Sequence, residues 1–374
     1  MKPGFVPFAL ERMMSLWENV VEYNLSESGV HPMTVRELVD DPAVMEEIFS
    51  TELNYPQTNG AFELRERIAA LYPGAKPENV LVTTGCAQAN FCAVHTILEP
   101  GDELVFMLPN YMQIGGVALN SGFHLKTFSL KEKLDWGIDL DELDKTVSEK
   151  TMLIAICNPN NPSGHILSDA EMEGITAVAD RVGAWLLADE IYAGAERTTE
   201  EVTPSFWGRY EKVLAMGSLS KAYGLPGLRL GWVVGPEEVV DAIWSCQDYV
   251  TISASMLANK LGAYAFLPEV RARILERTRG YIRQGYQVFE QWWTSHDEVF
   301  NLIPPQAAAI AFLRYDLGIN STELVERLIH EKSVLVMPGD HFGLDGYLRI
   351  SFGLPKAYLK EGLDRIYQLI ASLR

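Results

Sequence analysis

The sequence predicts an α/β protein, with a large domain built on a mostly parallel sheet and a smaller α+β domain beside it. Three observations lead there. From about residue 79 to 235, short apolar runs alternate with amphipathic stretches, the order that sets parallel strands side by side with helices crossing between them. Beyond about Leu261 this alternation gives way to long helical segments followed by strand-like runs. The 374 residues are 48% hydrophobic and 22% charged, enough for about two to three structural units around a large core, with no stretch of disorder-type composition.

The strand assignments rest on apolar runs too short for helices and flanked by turn residues: 79–83, 103–107, 151–157, 184–188, 213–216 and 231–234. Helical patterns at 87–98 and 168–182 lie between them, and later ones cover 280 to about 295 and 357–373. The first 45 residues, which begin with Pro3, Gly4 and Pro7, cannot build a core alone and are expected to pack with the C-terminal part. The expected division is therefore a large domain over 46–279 and a discontinuous small domain of 1–45 plus 280–374.

Charge narrows the function. Thirty-one basic against 50 acidic residues leave −19, a field that repels phosphate backbones and anionic lipid, so neither nucleic acid nor membrane is an expected partner. Residues 1–10 carry one lysine and no long apolar run, and no apolar stretch approaches bilayer-spanning length, so a cytoplasmic protein is expected. Cys86, Cys92, Cys157 and Cys246 form no CxxC pair and read as buried free thiols in a reducing compartment. The seven histidines lack ligand-like spacing, so no metal site is proposed.

Chemistry concentrates at 218–231, S-L-S-K-A-Y-G-L-P-G-L-R-L-G, where Lys221 follows a predicted strand among small and turn-forming residues. Open α/β sheets bind ligands outside the carboxyl ends of their strands, so this lysine is placed to reach a pocket. Asp189 should emerge at the end of another strand, where a buried carboxylate needs a cationic partner. Thr84, Gly85, Cys86 and Ala87 close a strand and open a helix, whose first N–H groups suit a single phosphate. One glycine there, without G-x-G-x-x-G, argues against a dinucleotide.

Ser218, Ser220, Lys221, Gly227, Arg229 and Gly231 together resemble the lysine signature of class I/II aminotransferases, enzymes of fold type I that use pyridoxal 5'-phosphate (PLP). The resemblance runs from Gly29 to Arg349 with the motifs in the family's order. It implies that Lys221 carries the cofactor as a Schiff base and then shuttles the substrate proton, a task that needs an amine set among cationic groups. It also implies that Ser218 and Arg229 bind the phosphate with Gly85, Cys86 and Ala87, and that Asp189 pairs with the ring nitrogen. Tyr192 and Asn161, the latter in N-P-N-N-P-S-G, would bond the phenolic oxygen, and Tyr111 would stack on the ring.

On the substrate side the resemblance implies that Arg349 takes the α-carboxylate in two parallel hydrogen bonds, and that the segment at Gly29 closes over the substrate, Asn161 also touching it. Tyr55 matches a tyrosine that reaches the cofactor phosphate of a neighbouring subunit, which implies a homodimer. The expected reaction is ping-pong transamination between an L-amino acid and a 2-oxo acid. The segment S-E-S-G-V-H at 26–31 differs from the usual glycine segment of aspartate and aromatic aminotransferases and is similar to that of capreomycidine synthase-type relatives. A PLP-dependent lyase or cyclase is the alternative.

Overall fold

The computed structural model describes residues 4–374. The chain passes through the helix Ala9–Trp17 and a two-residue strand, β1 (Tyr23–Asn24), before it reaches the main sheet. That sheet holds β2 (Val80–Thr83), β3 (Glu103–Leu108), β4 (His124–Lys131), β5 (Gly137–Ile138), β6 (Thr151–Cys157), β7 (Trp185–Asp189), β8 (Val213–Ser218) and β9 (Gly231–Val234). Their spatial order is β2-β9-β8-β7-β6-β3-β4-β5. Pairings from β8 through β7, β6 and β3 to β4 are parallel, whereas β9 runs against both its neighbours and β5 against β4.

The sheet is mostly parallel, as the sequence predicts. Its central strands are apolar on both faces because alternate residues enter two cores: Ile154, Ile156 and Ala188 one, Leu153, Ala155 and Leu187 the other. β4 escapes sequence reading because it lies toward an edge and leaves His124, Lys126 and Thr127 exposed, so it has no continuous apolar run. The direction of β9 was equally invisible, since an apolar run reports burial and not polarity.

The predicted helices at 87–98 and 168–182 form as Cys86–Ile97 and Asp169–Val182. The second has a reciprocal cap, Ser168 with Glu171, at its start and a left-handed Gly183 at its end. The helix expected to begin near residue 280 instead begins at Pro268 and continues to Thr294. Proline is tolerated in a first helical turn, where its missing N–H has no partner to lose, and Gly280 is simply an interior residue. The division after residue 279 thus falls inside a continuous helix, and no linker lies there.

The remaining strands are β10 (Phe300–Asn301), β11 (Ile310–Tyr315), β12 (Val334–Leu335), β13 (Met337–Pro338) and β14 (Tyr347–Ser351). Four of them make an antiparallel sheet in the order β10-β11-β14-β13, while β12 pairs in parallel with β1. The N-terminal segment is held to this region through Leu25, whose N–H donates to Leu335 O at 2.8 Å and whose carbonyl accepts from Ser351 N at 2.9 Å. Cys86, Cys92 and Cys157 are buried free thiols, but Cys246 is only half-buried, because it lies off the Val240, Ile243 and Gln247 stripe of its helix. No helix among the described residues is long and apolar enough to cross a membrane.

Candidate active site

The parallel strands end side by side. Register places Cys157 of β6 beside Asp189 of β7, and Asp189 beside Met216 of β8, so the loop after β6, Asp189 and Ser218 share the carboxyl edge of the sheet. The antiparallel β9 starts at the same edge, with Gly231 opposite both Ser218 and Thr83, and so draws the turn at Thr84–Ala87 to the same place. A cavity of about 490 Å³ opens there. Cys86, Ala87, Tyr111, Asn161, Asp189, Tyr192, Ser218, Lys221, Arg229 and Arg349 all line it. Gly29 adjoins it, since a Cβ at that position would lie 3.6 Å from Lys221 Cδ. Tyr55 is 79% exposed and lies outside the cavity of its own chain.

Arg349 is 1% exposed on β14, between β11 and β13. Its Nη1 donates to Asn161 Oδ1 at 3.1 Å and its Nη2 to the Ser26 carbonyl, while Nε has no partner. Tyr192 donates its hydroxyl to Ser28 Oγ at 2.9 Å, and Tyr111 donates to Glu11 Oε1 at 2.7 Å with the ring edge of Phe8 against it. Burial raises both phenols above their ordinary range. Lys221 sits with Nζ 3.7 Å from Glu27 Oε2. Its ion-pair partner is therefore a carboxylate, where the sequence suggested cationic neighbours, because the N-terminal segment folds over the loop.

Asp189 is buried with two long hydrogen bonds, from Ile191 N at 3.3 Å and Asn90 Nδ2 at 3.4 Å. Burial pushes its carboxyl up to about 6, the behaviour of an anion that lacks a cationic partner. At the other end, the helix Cys86–Ile97 begins at Gly85 (φ +78°) with no side chain capping it. A Cβ on Gly85 would meet Arg229 Nη2 at 2.6 Å, and one on Gly231 would land on Cys86 N and lie 2.5 Å from Gly85 C. The two glycines thus let a guanidinium and a strand close on a helix N-terminus, with Ser218 and Ser220, 2.9 Å apart at their hydroxyls, beside it. This is a cradle for a dianion.

The profile of the family described as aminotransferase class I and II matches residues 12–366. The chain belongs to the class I and II aminotransferase family. A capreomycidine synthase of Streptomyces vinaceus is 33% identical over 358 residues, 93% of this chain and 90% of that protein. A PLP-dependent aminotransferase from Streptococcus suis 89-1591 superposes with a TM-score of 0.92 at 28% identity, over 100% of this chain and 99% of that one. The PLP-dependent cyclase OrfR gives 0.88 at 25% identity, over 98% and 97%.

Enzymes of this aminotransferase family use PLP, and the cavity fits it. The cradle at Gly85, Ser218 and Arg229 suits the phosphate, and the under-partnered Asp189 suits a protonated ring nitrogen. Lys221 would offer the amine, and Asn161 and Tyr192 put further polar groups on the wall of the same cavity. Sequence reading missed Asn90, which holds Asp189, and Ser28, which holds Tyr192. Asn90 had a faint signal, an amide on the otherwise apolar face of a predicted helix; Ser28 stood beside a residue already singled out. Glu11, Glu18 and Glu27 also line the cavity and had no local signal at all.

Proposed function

We propose that this protein is a PLP-dependent aminotransferase that moves an amino group between an L-amino acid and a 2-oxo acid in two half-reactions. The observation that carries the reading is the convergence of Lys221, Asp189 and Arg349 on one cavity from the loop after β8, from β7 and from β14. PLP, when bound, supplies an electron sink for the pair released as the substrate Cα–H bond breaks. Arg349, oriented by Asn161, binds the α-carboxylate and thereby fixes which Cα bond faces Lys221. Lys221 Nζ would take the proton from Cα and deliver it to C4′ of the cofactor. Asp189 would hold a protonated ring nitrogen as its cationic partner, while Asn161, and Tyr192 with its hydroxyl turned from Ser28, would donate to the phenolic oxygen. Phe8, Leu10 and Met14 line the cavity with apolar surface that excludes water.

A lyase or cyclase is the second reading, favoured by the 33% identity to a capreomycidine synthase and by the N-terminal segment at Ser28 and Gly29, which differs from that of aspartate aminotransferases. The active unit in either reading is a homodimer that shares Tyr55 across subunits. Single-turnover mixing of PLP-loaded protein with a panel of L-amino acids, without any 2-oxo acid, separates the two. Release of a stoichiometric amount of 2-oxo acid that then stops supports transamination; continued formation of ammonia or a cyclised product supports the alternative. Lys221→Ala is expected to abolish either, and normal turnover by that variant would sink both readings.

A further inference from the structure

We propose that this cavity selects amino acids whose side chain ends in a cation, ammonium or guanidinium, received by Glu11, Glu18 and Glu27. The inference rests on the cavity being an amino-acid site, and it comes from matching charges. The cationic side chains lining the cavity are Lys221, Arg229 and Arg349, and the anionic ones are Asp189, Glu11, Glu18 and Glu27. The cofactor and the α-carboxylate use Lys221, Arg229, Arg349 and Asp189. Three glutamates are left over, and among the described residues no further lysine, arginine or histidine lines the cavity.

Their placement is set by the fold. Glu11 and Glu18 lie on, and at the end of, the helix Ala9–Trp17, seven residues apart and so on one face. Tyr111 donates to Glu11 and fixes it, and Glu27 leans on Lys221 only while that amine is uncommitted. The carboxyl of Glu18 is held above its usual range by burial first, then by the nearby charges of Glu27 and Glu11. That the cavity takes a ligand is marked independently by Arg349, 1% exposed with Nε unpartnered. A cationic side chain relieves the repulsion among the glutamates, a neutral one leaves it, and an acidic one meets like charge.

The test is equilibrium binding of unreactive acids to the PLP-loaded protein by calorimetry, using 6-(dimethylamino)hexanoate, whose tertiary ammonium cannot form an imine, 5-guanidinopentanoate, heptanoate and heptanedioate. These carry the carboxylate for Arg349 but no α-amine. The two cationic acids are expected to bind about tenfold or more tighter than heptanoate, or about 1.4 kcal/mol, with heptanedioate weakest. Glu18→Gln and Glu11→Gln, checked for folding and cofactor absorbance, are expected to erase most of that advantage, read in each variant as the ratio of cationic-acid to heptanoate affinity. Equal affinity for heptanoate and the cationic acids, or tighter heptanedioate, overturns the inference. If the variants do not fold, the ligand series on the unaltered protein still decides. Should no amino acid yield a 2-oxo acid while the cationic preference holds, the transamination reading fails and this one stands.

Discussion

Asp189 and Glu190 are adjacent in sequence, and the fold buries both for different ends. Asp189 faces the cavity with long hydrogen bonds and a carboxyl pushed up to about 6. Glu190 accepts from Ser205 Oγ at 2.9 Å and Phe206 N at 2.8 Å, both on Oε1, and burial pushes it up to about 8. A carboxyl raised on folding holds a proton that the unfolded chain has already lost, so stability falls as pH rises, between about 4 and 6 for Asp189 and about 4.5 and 8 for Glu190. Asp189→Asn is therefore expected to raise the melting temperature of the cofactor-free protein at pH 7, and to lower turnover of the PLP-loaded enzyme roughly 100-fold or more, the scale for losing a preorganised charge at a reacting centre. Glu190→Gln keeps the Oε1 acceptor and removes the charge; it should stabilise at pH 8, with a gain that shrinks toward pH 5, and leave turnover alone. Thermal unfolding at pH 5 and 8 checks both, and an unchanged pH slope in Glu190→Gln would refute the assignment.

At the level of elements, the decisive contact joins the start of β9 to the first turn of the helix Cys86–Ile97. Gly231 and Gly85 have no side chain to hold the two apart, and the atoms a Cβ on Gly231 would strike are backbone, which cannot yield. Gly231→Ala must separate strand and helix, and overpacking of this kind costs about 1–3 kcal/mol. Because that separation opens the phosphate cradle, PLP affinity is expected to fall about tenfold or more, whereas pyridoxal, which lacks the phosphate, should lose much less. Titration of the apo protein with both compounds reads the ratio. Equal losses for the two would place the damage elsewhere than at the phosphate.

For the whole molecule, the described chain leaves Phe49, Leu53 and Tyr55 at 75–79% exposure, with Tyr249 at 95% and Ile252 near it in sequence, so that large apolar side chains stand exposed in two segments. A homodimer covering these segments is expected, with a sedimentation mass twice that of the chain. Tyr55→Ala should be weakly active alone. Mixed with inactive Lys221→Ala it should regain activity, since the mixed dimer holds one site with both Lys221 and a partner tyrosine. A monomeric mass, or no recovery on mixing, would refute the shared site.

Much of this was legible in the chain alone. Strands buried on both faces write themselves as apolar runs, and six of them, parallel and antiparallel alike, were readable within two residues of their observed ends. Much of the cavity lining was readable for a related reason: Ser218, Lys221 and Arg229 lie within one short stretch at and after the end of β8, and Asp189 ends a recognisable strand. What the sequence left open depends on residues distant along it. Asn161 meets Arg349 across 188 positions and Tyr192 meets Ser28 across 164, pairs that exist only once two sheets and an N-terminal arm pack together. The direction of β9 and the early start of the helix at Pro268 belong to the same class, as does the gathering of Glu11, Glu18 and Glu27 over the cavity. Local sequence determined the fold class and the motif that carries Lys221; long-range packing alone decided which charges line the cavity with it, because a side chain's neighbours in space are set by burial and not by its neighbours in the chain.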